Sequence, residues 1–321
     1  MEVDIQNSVR KFAENLLKNN MELENLSLGF FGGEPLLEFY DVVHPLISTI
    51  NALCNKYNKK LSVNFTSNGF LISQDIINTL KNYDCSFQIT LDGGKSHHDT
   101  TRFQKGGLGS FDKILNNIFT LIENGIKVTL RVNYTKENIS SVSDIVSILR
   151  GLPNEVRPYL QIDLQRVWQD FAVNNPYDNT YFIAKGFRKE LIASGFPVFN
   201  NKTLDTVRNS CYGDKHNHVL INYNGDVFMC TARDFTQDER YGILNIDGSI
   251  EFNKDKIELR RNSKFVKEVC KRCRIAPRCG GGCRTQAVEQ FHIERCLYVY
   301  DDNIIDDIIL EIFDERFINN K

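Results

Sequence analysis

The stretch LSVNFTSNGFLISQDIINTLKNYDCSFQITLDGG, residues 61–94, contains one complete strand, helix and strand repeat. Its two strand segments, LSVNFT (61–66) and SFQITL (86–91), are short and apolar, whereas ISQDIINTLKNY (72–83) has apolar residues three and four positions apart. Two strands joined by such a helix run parallel, with a right-handed crossover. The polar segments TSNG and LDGG follow the strands, where parallel sheets build their binding sites.

The same alternation extends in both directions along the chain. Further strands are predicted at 26–31, 127–134 and 160–167, and further helices at 36–57, 110–125 and 138–152. Because the strand segments are near-continuous apolar runs, we expect them to be buried on both faces. The fold class is therefore α/β, with a parallel sheet that forms an α/β barrel or part of one.

Length and charge narrow the class of protein. A chain of 321 residues suits one large domain plus an appendage, and a net charge of −2 argues against a general binder of nucleic acid or of membrane surfaces. No apolar run is long enough to span a bilayer, and the N-terminus has an amphipathic helical pattern rather than a signal peptide. We expect a cytoplasmic protein with no membrane partner.

The character of the sequence changes after about residue 200. Asn224-Gly225 lies between two apolar runs and predicts a hairpin. The chain closes with an apolar helical stripe that indicates ordinary core packing with an acidic outer face, formed by Ile304, Ile305, Ile308, Ile309, Ile312 and Phe313.

Seven of the nine cysteines fall between residues 211 and 296, and CKRCRIAPRCGGGC (270–283) holds four of them. Cys54 and Cys85 lie in a predicted helix and strand and are expected to be small buried hydrophobic residues. In a reducing compartment the clustered thiols favour metal binding over disulfides. Two closed zinc sites need eight ligands. The seven cysteines leave one ligand missing, which His216, His218 or His292 would have to supply. Seven thiolates suit one complete four-iron cluster and one with an open iron.

The spacing of these thiols resembles the SPASM extension of radical S-adenosylmethionine (SAM) enzymes, and all seven positions of that pattern match. The resemblance implies two auxiliary [4Fe-4S] clusters. One would be held by Cys270, Cys273, Cys279 and Cys296, and the other by Cys211, Cys230 and Cys283. Some relatives have an extra cysteine a few residues earlier, where this chain has Asp205 and Arg208.

The first half of the chain supports the same resemblance. FFGGEPLL (30–37) is similar to the family's GGEP motif, which contacts the amino group of SAM, and ITLDGGKSHHDTTR (89–102) resembles a second stretch of the peptide-modifying branch. The SAM-binding residues implied are Gly32, Gly33, Glu34, Pro35, Ser67, Thr90, Asp92 and Arg131. The expected architecture is a partial (β/α)6 TIM-like barrel at residues 1–200 and a SPASM extension at 201–321.

One part of the family's machinery is not present in this sequence. Radical SAM catalysis needs a third [4Fe-4S] cluster bound by Cys-x3-Cys-x2-Cys, and residues 1–53 contain no cysteine. We expect that the barrel lacks its first strand and cluster loop. The chain is then either truncated, which the intact thiols favour, or a degenerate relative. On its own it is expected not to cleave SAM.

The resemblance implies a maturase that oxidises or crosslinks a ribosomally made peptide or protein, with flavodoxin or ferredoxin as the electron donor. Sulfatase-maturing relatives carry an Asp after the equivalent of Cys230, where this chain has Thr231, which speaks against that activity. No catalytic residue is assigned. Two alternatives remain: an iron–sulfur scaffold or electron-transfer partner, and a zinc-binding interaction module.

Overall fold

The computed structural model describes residues 1–167, 178–199, 211–313 and 317. The chain divides into two compact units, Leu16–Asn200 and Met1–Asn15 together with Asn201–Lys321. Helix α1 (Val3–Asn19) begins in the second of these units. The assignment of 1–200 and 201–321 to two domains stays a prediction, and it did not include the grouping of Met1–Asn15 with the later residues.

The unit Leu16–Asn200 is built on a five-stranded parallel sheet in the order β1-β2-β3-β4-β5. The strands are β1 (Asn25–Phe30), β2 (Lys60–Ser67), β3 (Asp84–Asp92), β4 (Lys127–Tyr134) and β5 (Leu160–Arg166). A sixth segment continues the sheet beside β5, where Ile162 N–H donates to Pro197 O (2.8 Å) and Phe199 N–H donates to Ile162 O (2.7 Å). The predicted parallel α/β sheet is confirmed.

In the described part of this unit, six helices accompany the sheet: α2 (His44–Lys56), α3 (Gln74–Leu80), α4 (Lys95–Thr101), α5 (Phe111–Glu123), α6 (Val142–Arg150) and α7 (Asn179–Ala193). The predicted helix 36–57 is not continuous. It begins with a 3-10 turn (Pro35–Glu38) and a π turn (Phe39–Val43) before α2. Pro45 has no N–H to close a regular bond to the preceding turn, which explains a break at this point.

The prediction that the strands are buried on both faces was wrong. One face is largely apolar and buried in β2 to β5, with residues such as Phe65, Phe87 and Leu130. The opposite face is polar and mostly half-exposed, and it carries the alternate residues of the strands, such as Gln88, Thr90 and Arg131. Strand segments such as SFQITL alternate with a period of two, so their apolar composition concealed a polar face.

The second unit contains a small antiparallel sheet and short helices. Its strands are β6 (Leu220–Ile221), β7 (Asp226–Phe228), β8 (Gly242–Leu244) and β9 (Ile250–Phe252). The helices are α8 (Lys254–Arg261), α9 (Glu268–Lys271), α10 (Ala276–Cys279), α11 (Arg284–Glu289) and α12 (Asp302–Phe313). The hairpin predicted at Asn224-Gly225 is confirmed, because it connects β6 to β7.

Helix α12 is less buried than its apolar stripe predicted. Ile305 is buried, but Ile309 and Phe313 are 38% and 51% exposed. On its acidic side, the helix forms an ion pair between Asp306 Oδ1 and Arg274 Nη1 (2.5 Å). The prediction of ordinary core packing for the whole stripe was therefore wrong. None of the described helices combines the length and the apolar character needed to cross a bilayer.

The start of α1 packs closely on the turn between β8 and β9. Lys11 Nζ donates to Ile246 O (2.9 Å), and Asn15 Nδ2 donates to Asp247 O (3.2 Å). A Cβ placed on Gly248 would lie only 2.5 Å from Phe12 N. The close contact explains why these N-terminal residues group with the C-terminal unit.

Candidate cofactor and metal-binding sites

The Glu34 carboxylate joins the ends of β1 and β2. Glu34 Oε1 accepts hydrogen bonds from Leu36 N (3.1 Å) and Ser67 Oγ (2.8 Å), and Glu34 Oε2 accepts one from Asn68 N (2.8 Å). The side chain thereby caps the turn that starts at Pro35. Two of the predicted cofactor residues, Glu34 and Ser67, are brought into direct contact.

The glycines of the GGEP loop leave open space beside this carboxylate. Gly32 and Gly33 are exposed, and a Cβ at either position would meet no heavy atom within 4 Å. The backbone here is consequently accessible to a bound molecule.

A charged pair lies further along the polar face of the sheet. Thr90 on β3 is in register with Arg131 on β4, and Arg131 in turn is in register with Asp163 on β5. Arg131 Nε pairs with Asp163 Oδ2 (3.1 Å), and Gln165 Nε2 donates to Asp163 Oδ1 (2.6 Å). The Arg131 side chain remains 37% exposed and Asp163 only 5%, so the pair holds the guanidinium at the surface of the sheet.

Asp92, at the end of β3, receives several donors. Arg102 Nε pairs with Asp92 Oδ2 (2.6 Å), and Asn133 Nδ2 on β4 donates to Asp92 Oδ1 (2.9 Å). Although burial alone would raise the pKa of Asp92, the hydrogen bond and charge of Arg102 and the amide of Asn133 hold it below its ordinary value. Asp92 therefore remains a carboxylate.

His98 lies fully buried beside this carboxylate. Asp92 N–H donates to His98 Nδ1 (3.2 Å), so the ring proton lies on Nε2 and is donated to Ser110 Oγ (3.0 Å). Ser110 Oγ then donates to Arg102 O (2.8 Å). Burial is the main reason that the pKa of His98 lies below its ordinary value, so the imidazole is neutral.

The seven thiols of the second unit are free, and in addition to burial, neighbouring thiols raise the pKa of Cys211, Cys270 and Cys279 in two sets that agree with those the resemblance implies. Cys211 interacts electrostatically with Cys230 and Cys283, and these form the three-thiol group. Cys273 and Cys296 interact with both Cys270 and Cys279, which makes the four-thiol group. The two groups are interleaved along the chain: Cys283 follows Cys279 by four residues but belongs to the other group.

Backbone groups lie near several of these sulfurs. Ala232 N–H donates to Cys230 Sγ (3.4 Å), and Gly282 N–H donates to Cys279 O (3.2 Å). The backbone of Gly213 and of Gly281 and Gly282 acts to lower the pKa of the Cys211 and Cys279 thiols, against the larger effect of burial, which raises it. Gly280, Gly281 and Gly282 all have left-handed backbone, with φ of 64°, 77° and 75°. Only glycine adopts three such conformations in a row without strain, which explains the GGG sequence in this loop.

Most of the basic residues around the thiols are paired with acids. Lys271 pairs with Glu268 (2.6 Å), and Arg284 and Lys264 both pair with Asp214 (3.1 and 2.6 Å). Arg233, which interacts with the thiols of Cys230 and Cys283, has a two-point ion pair with Glu289. Lys271 and Arg233 therefore each have a carboxylate of their own, whereas Lys264 and Arg284 share the single negative charge of Asp214.

Seven thiols in one unit are a donor set that iron–sulfur clusters can use. Within the described ranges, no three His, Cys, Asp or Glu side chains are close enough to share one ion. Thiolates of a four-iron cluster each bind a different iron, so they lie further apart than thiolates around one zinc. N–H donors to the sulfurs are also typical of iron–sulfur sites.

Sequence reasoning named the ends of the strands but missed the residues that hold them. Arg102, Asn133 and Asp163 fix the positions of Asp92 and Arg131, and none of them was singled out. The period-two alternation of polar residues in β4 and β5 is the signal that would have found Asn133 and Asp163, whereas Arg102 follows helix α4 and has no such signal. The roles predicted for the cofactor residues and for the seven cysteines remain predictions.

Comparison with known proteins gives consistent matches. Residues 6–149 match the family model of the Radical SAM superfamily. The chain is 26% identical over 292 residues to the cysteine-type anaerobic sulfatase-maturating enzyme of Clostridium novyi, which covers 84% of this chain and 75% of that enzyme. It is 22% identical over 295 residues to the radical SAM cyclopropyl synthase TigE of Paramaledivibacter caminithermalis, covering 86% of this chain and 57% of TigE.

A solved structure shares the fold. The enzyme anSMEcpe with bound AdoMet superimposes with a TM-score of 0.73 at 20% identity, over 100% of this chain and 86% of that one. The same enzyme has also been solved with AdoMet and the Cp18Cys peptide. The expected α/β fold with a TIM-like barrel architecture is confirmed by this match together with the family model. Residues 6–149 of this chain therefore match the Radical SAM superfamily, and the chain is similar in sequence to an anaerobic sulfatase-maturating enzyme.

Proposed function

We propose that this protein is a radical SAM/SPASM oxidoreductase that matures a ribosomally made peptide or protein substrate and carries two auxiliary [4Fe-4S] clusters. The observation that supports it most is the separation of seven thiols into a four-thiol group and a three-thiol group. A reducing partner such as flavodoxin or ferredoxin would supply electrons, and we expect a cytoplasmic location without nucleic-acid or membrane partners.

The polar face of the sheet is the proposed SAM site. Radical SAM chemistry supplies a 5′-deoxyadenosyl radical when SAM and its own iron–sulfur cluster are bound. Glu34 Oε2 accepts one hydrogen bond among the described residues and so has capacity for an ammonium donor. Gly32, Gly33 and Pro35 would supply accessible backbone, and Ser67, Thr90, Asp92 and Arg131 would complete the polar surface.

The three-thiol group is the proposed point of substrate contact. Cys211, Cys230 and Cys283 would leave one iron of a four-iron cluster without a thiolate, and a cysteine of the substrate peptide is a suitable fourth ligand. Cys211 is exposed, so this group is accessible from solvent. The substrate is therefore proposed to be a cysteine-containing peptide or protein.

Sulfatase maturation is not the activity that we propose. Thr231, next to Cys230, shares a hydrogen bond with the Tyr212 hydroxyl and offers no carboxylate at that position. A hydroxyl is a far weaker base than a carboxylate. We infer a different modification of a cysteine-containing substrate.

Metal analysis of anaerobically prepared protein tests the cluster assignment. We expect about eight irons and as many sulfides per chain, from two four-iron clusters. Stoichiometric zinc without acid-labile sulfide would instead support the interaction-module alternative. Cys54→Ser is the matched control, because Cys54 is a buried helix residue outside both thiol groups.

Peptide binding distinguishes a maturase from an electron-transfer scaffold. A synthetic cysteine-containing peptide is expected to change the EPR spectrum of one cluster, while the same peptide with serine at that position leaves it unchanged. Equal spectra with both peptides would remove the support for substrate ligation. Because residues 1–321 contain no Cys-x3-Cys-x2-Cys motif, we expect this chain alone to produce no 5′-deoxyadenosine from SAM.

A further inference from the structure

Two buried cations in the C-terminal unit have only neutral hydrogen-bond partners within the described part of the chain. Lys267 is 2% exposed, and its ammonium donates to Gln290 O (2.9 Å) and Ile293 O (2.6 Å). Arg260 is 6% exposed, and its guanidinium donates to Gly213 O (2.7 Å) and Thr285 Oγ1 (3.3 Å). The Tyr241 ring also faces Arg260 at 5.5 Å.

Each of these cations lies beside a different thiol group. Lys267 precedes Cys270 by one turn, since Cys270 N–H donates to Lys267 O (3.0 Å), and its charge acts on the Cys270 thiol. Arg260 and the Cys211 thiol both lie close to Gly213. A Cβ at Gly213 would be 3.1 Å from Arg260 Nη2 and 3.8 Å from Cys211 Sγ.

A buried charge that has only neutral partners is strongly unfavourable unless a counter-charge is present. The exposed or half-exposed cations nearby, Lys271 and Arg233, have carboxylate partners of their own. Among the described residues, Lys267 and Arg260 have no carboxylate partner, yet they are more buried than Lys271 and Arg233. The thiolate ligands of an iron–sulfur cluster make the loaded site an anion, which is the missing counter-charge.

We propose that Lys267 and Arg260 are internal counter-cations of the two clusters, Lys267 for the four-thiol group and Arg260 for the three-thiol group. Each stabilises the more negative, reduced form of its cluster and thereby raises its reduction potential. This inference rests on the proposed cluster binding and adds to it two positioning residues that are not ligands.

The test is an EPR-monitored redox titration of the reconstituted chain and of charge variants. Lys267→Gln removes the charge but keeps N–H donors for the two carbonyls. We expect the equilibrium constant for reduction of one cluster to fall tenfold. For a one-electron couple this lowers the reduction potential by about 59 mV. Lys267→Arg should stay near wild type. Lys271→Gln should also stay near wild type, because Lys271 is exposed and paired with Glu268.

Arg260→Gln provides the second, independent arm. It should lower the reduction potential of the other cluster. The potentials of Arg260→Lys and of Arg261→Gln, a variant of the exposed neighbour, should stay near wild type. Iron uptake that fails in Lys267→Gln but persists in Lys267→Arg would also support the proposal. The proposal would be overturned if Lys267→Gln and Arg260→Gln bound both clusters and kept wild-type reduction potentials. An equal shift of the potential in Lys271→Gln would also overturn it. Wild-type protein without iron and sulfide would instead overturn the proposed function, and this inference with it.

Discussion

Glu34 shows how one side chain can be both a cofactor candidate and a structural link. Its carboxylate accepts three hydrogen bonds, two from backbone N–H groups and one from Ser67 Oγ. Carboxylates that accept backbone N–H bonds near a turn stabilise the conformation of that turn. The GGEP loop is thereby held in a fixed shape before any ligand binds.

Replacing Glu34 by Gln is expected to lower the free energy of unfolding by about 1–3 kcal/mol, because one acceptor becomes an amide donor that faces an N–H or hydroxyl donor. Urea unfolding measures this. Glu38→Gln is the matched control, since Glu38 is exposed on the same turn, and it should change stability by less than about 0.5 kcal/mol. Equal effects of the two variants would show that the Glu34 contacts contribute nothing.

His98 predicts how stability depends on pH. Its pKa is lowered in the folded state, mainly by burial, whereas an unfolded histidine titrates near about 6.5. Below about pH 6.5 the unfolded chain therefore binds a proton that the folded chain does not, and the free energy of unfolding falls as pH falls. Urea unfolding between pH 5 and 8 should show a shallower slope for His98→Gln. His97→Gln, on the same helix turn but half-exposed, should keep the wild-type slope. Parallel slopes for wild type and His98→Gln would contradict the assignment.

At the residue scale, sequence patterns identify candidate site residues better than the side chains that fix their positions by hydrogen bonds and ion pairs. Glu34, Asp92 and Arg131 were predicted from sequence, but the pairing of Arg131 with Asp163 depends on strand register. Register is set by packing of the whole sheet and cannot be obtained from one strand alone. Lys267 and Arg260 were concealed for a related reason, since a basic residue near thiols is usually on the surface.

At the scale of elements, α1 is the helix whose position sequence could not give. Its amphipathic pattern predicts a helix, and Val3–Asn19 confirms it, but the pattern does not identify the surface that it covers. The structure shows that the turn at Gly248 receives the backbone of Lys11 and Phe12. Such a close backbone contact requires a residue without a side chain.

Gly248→Ala is expected to loosen this contact. The left-handed backbone of Gly248, φ +82°, and the approach of Phe12 N at 2.5 Å both disfavour a Cβ. Gly107→Ala is the matched control, because Gly107 also has φ +82° but nothing within 4 Å. Both variants share the backbone strain. The steric clash of the added Cβ should destabilise Gly248→Ala by about 1–3 kcal/mol more than Gly107→Ala. Hydrogen–deuterium exchange should rise in residues 3–15 of Gly248→Ala only. Unchanged protection there would mean that the turn does not hold α1.

The strand and helix order was predictable from sequence because each element carries its own periodicity. β4, predicted and observed at 127–134, is one such case. The exposure of Ile309 and Phe313 was not predictable, since an apolar stripe shows that a helix has one apolar side but not how much of that side is covered. Elements follow from local pattern, and their burial follows from tertiary packing.

At the scale of the whole molecule, the interleaving of the two thiol groups predicts the iron content of double cysteine variants. Single variants cannot test it, because each removes only one ligand. Cys279 and Cys283 are neighbours in sequence but belong to different groups, whereas Cys270 and Cys279 belong to one. Cys279→Ser and Cys283→Ser should each leave about four irons per chain, from the one intact cluster. The pair Cys270→Ser with Cys279→Ser should still leave about four, because both changes affect the same cluster. The pair Cys279→Ser with Cys283→Ser should leave almost none. Cys54→Ser and Cys85→Ser, both buried outside the groups, should keep the full iron content. If the two double variants lost iron equally, the cysteines would have to be assigned to clusters in another way.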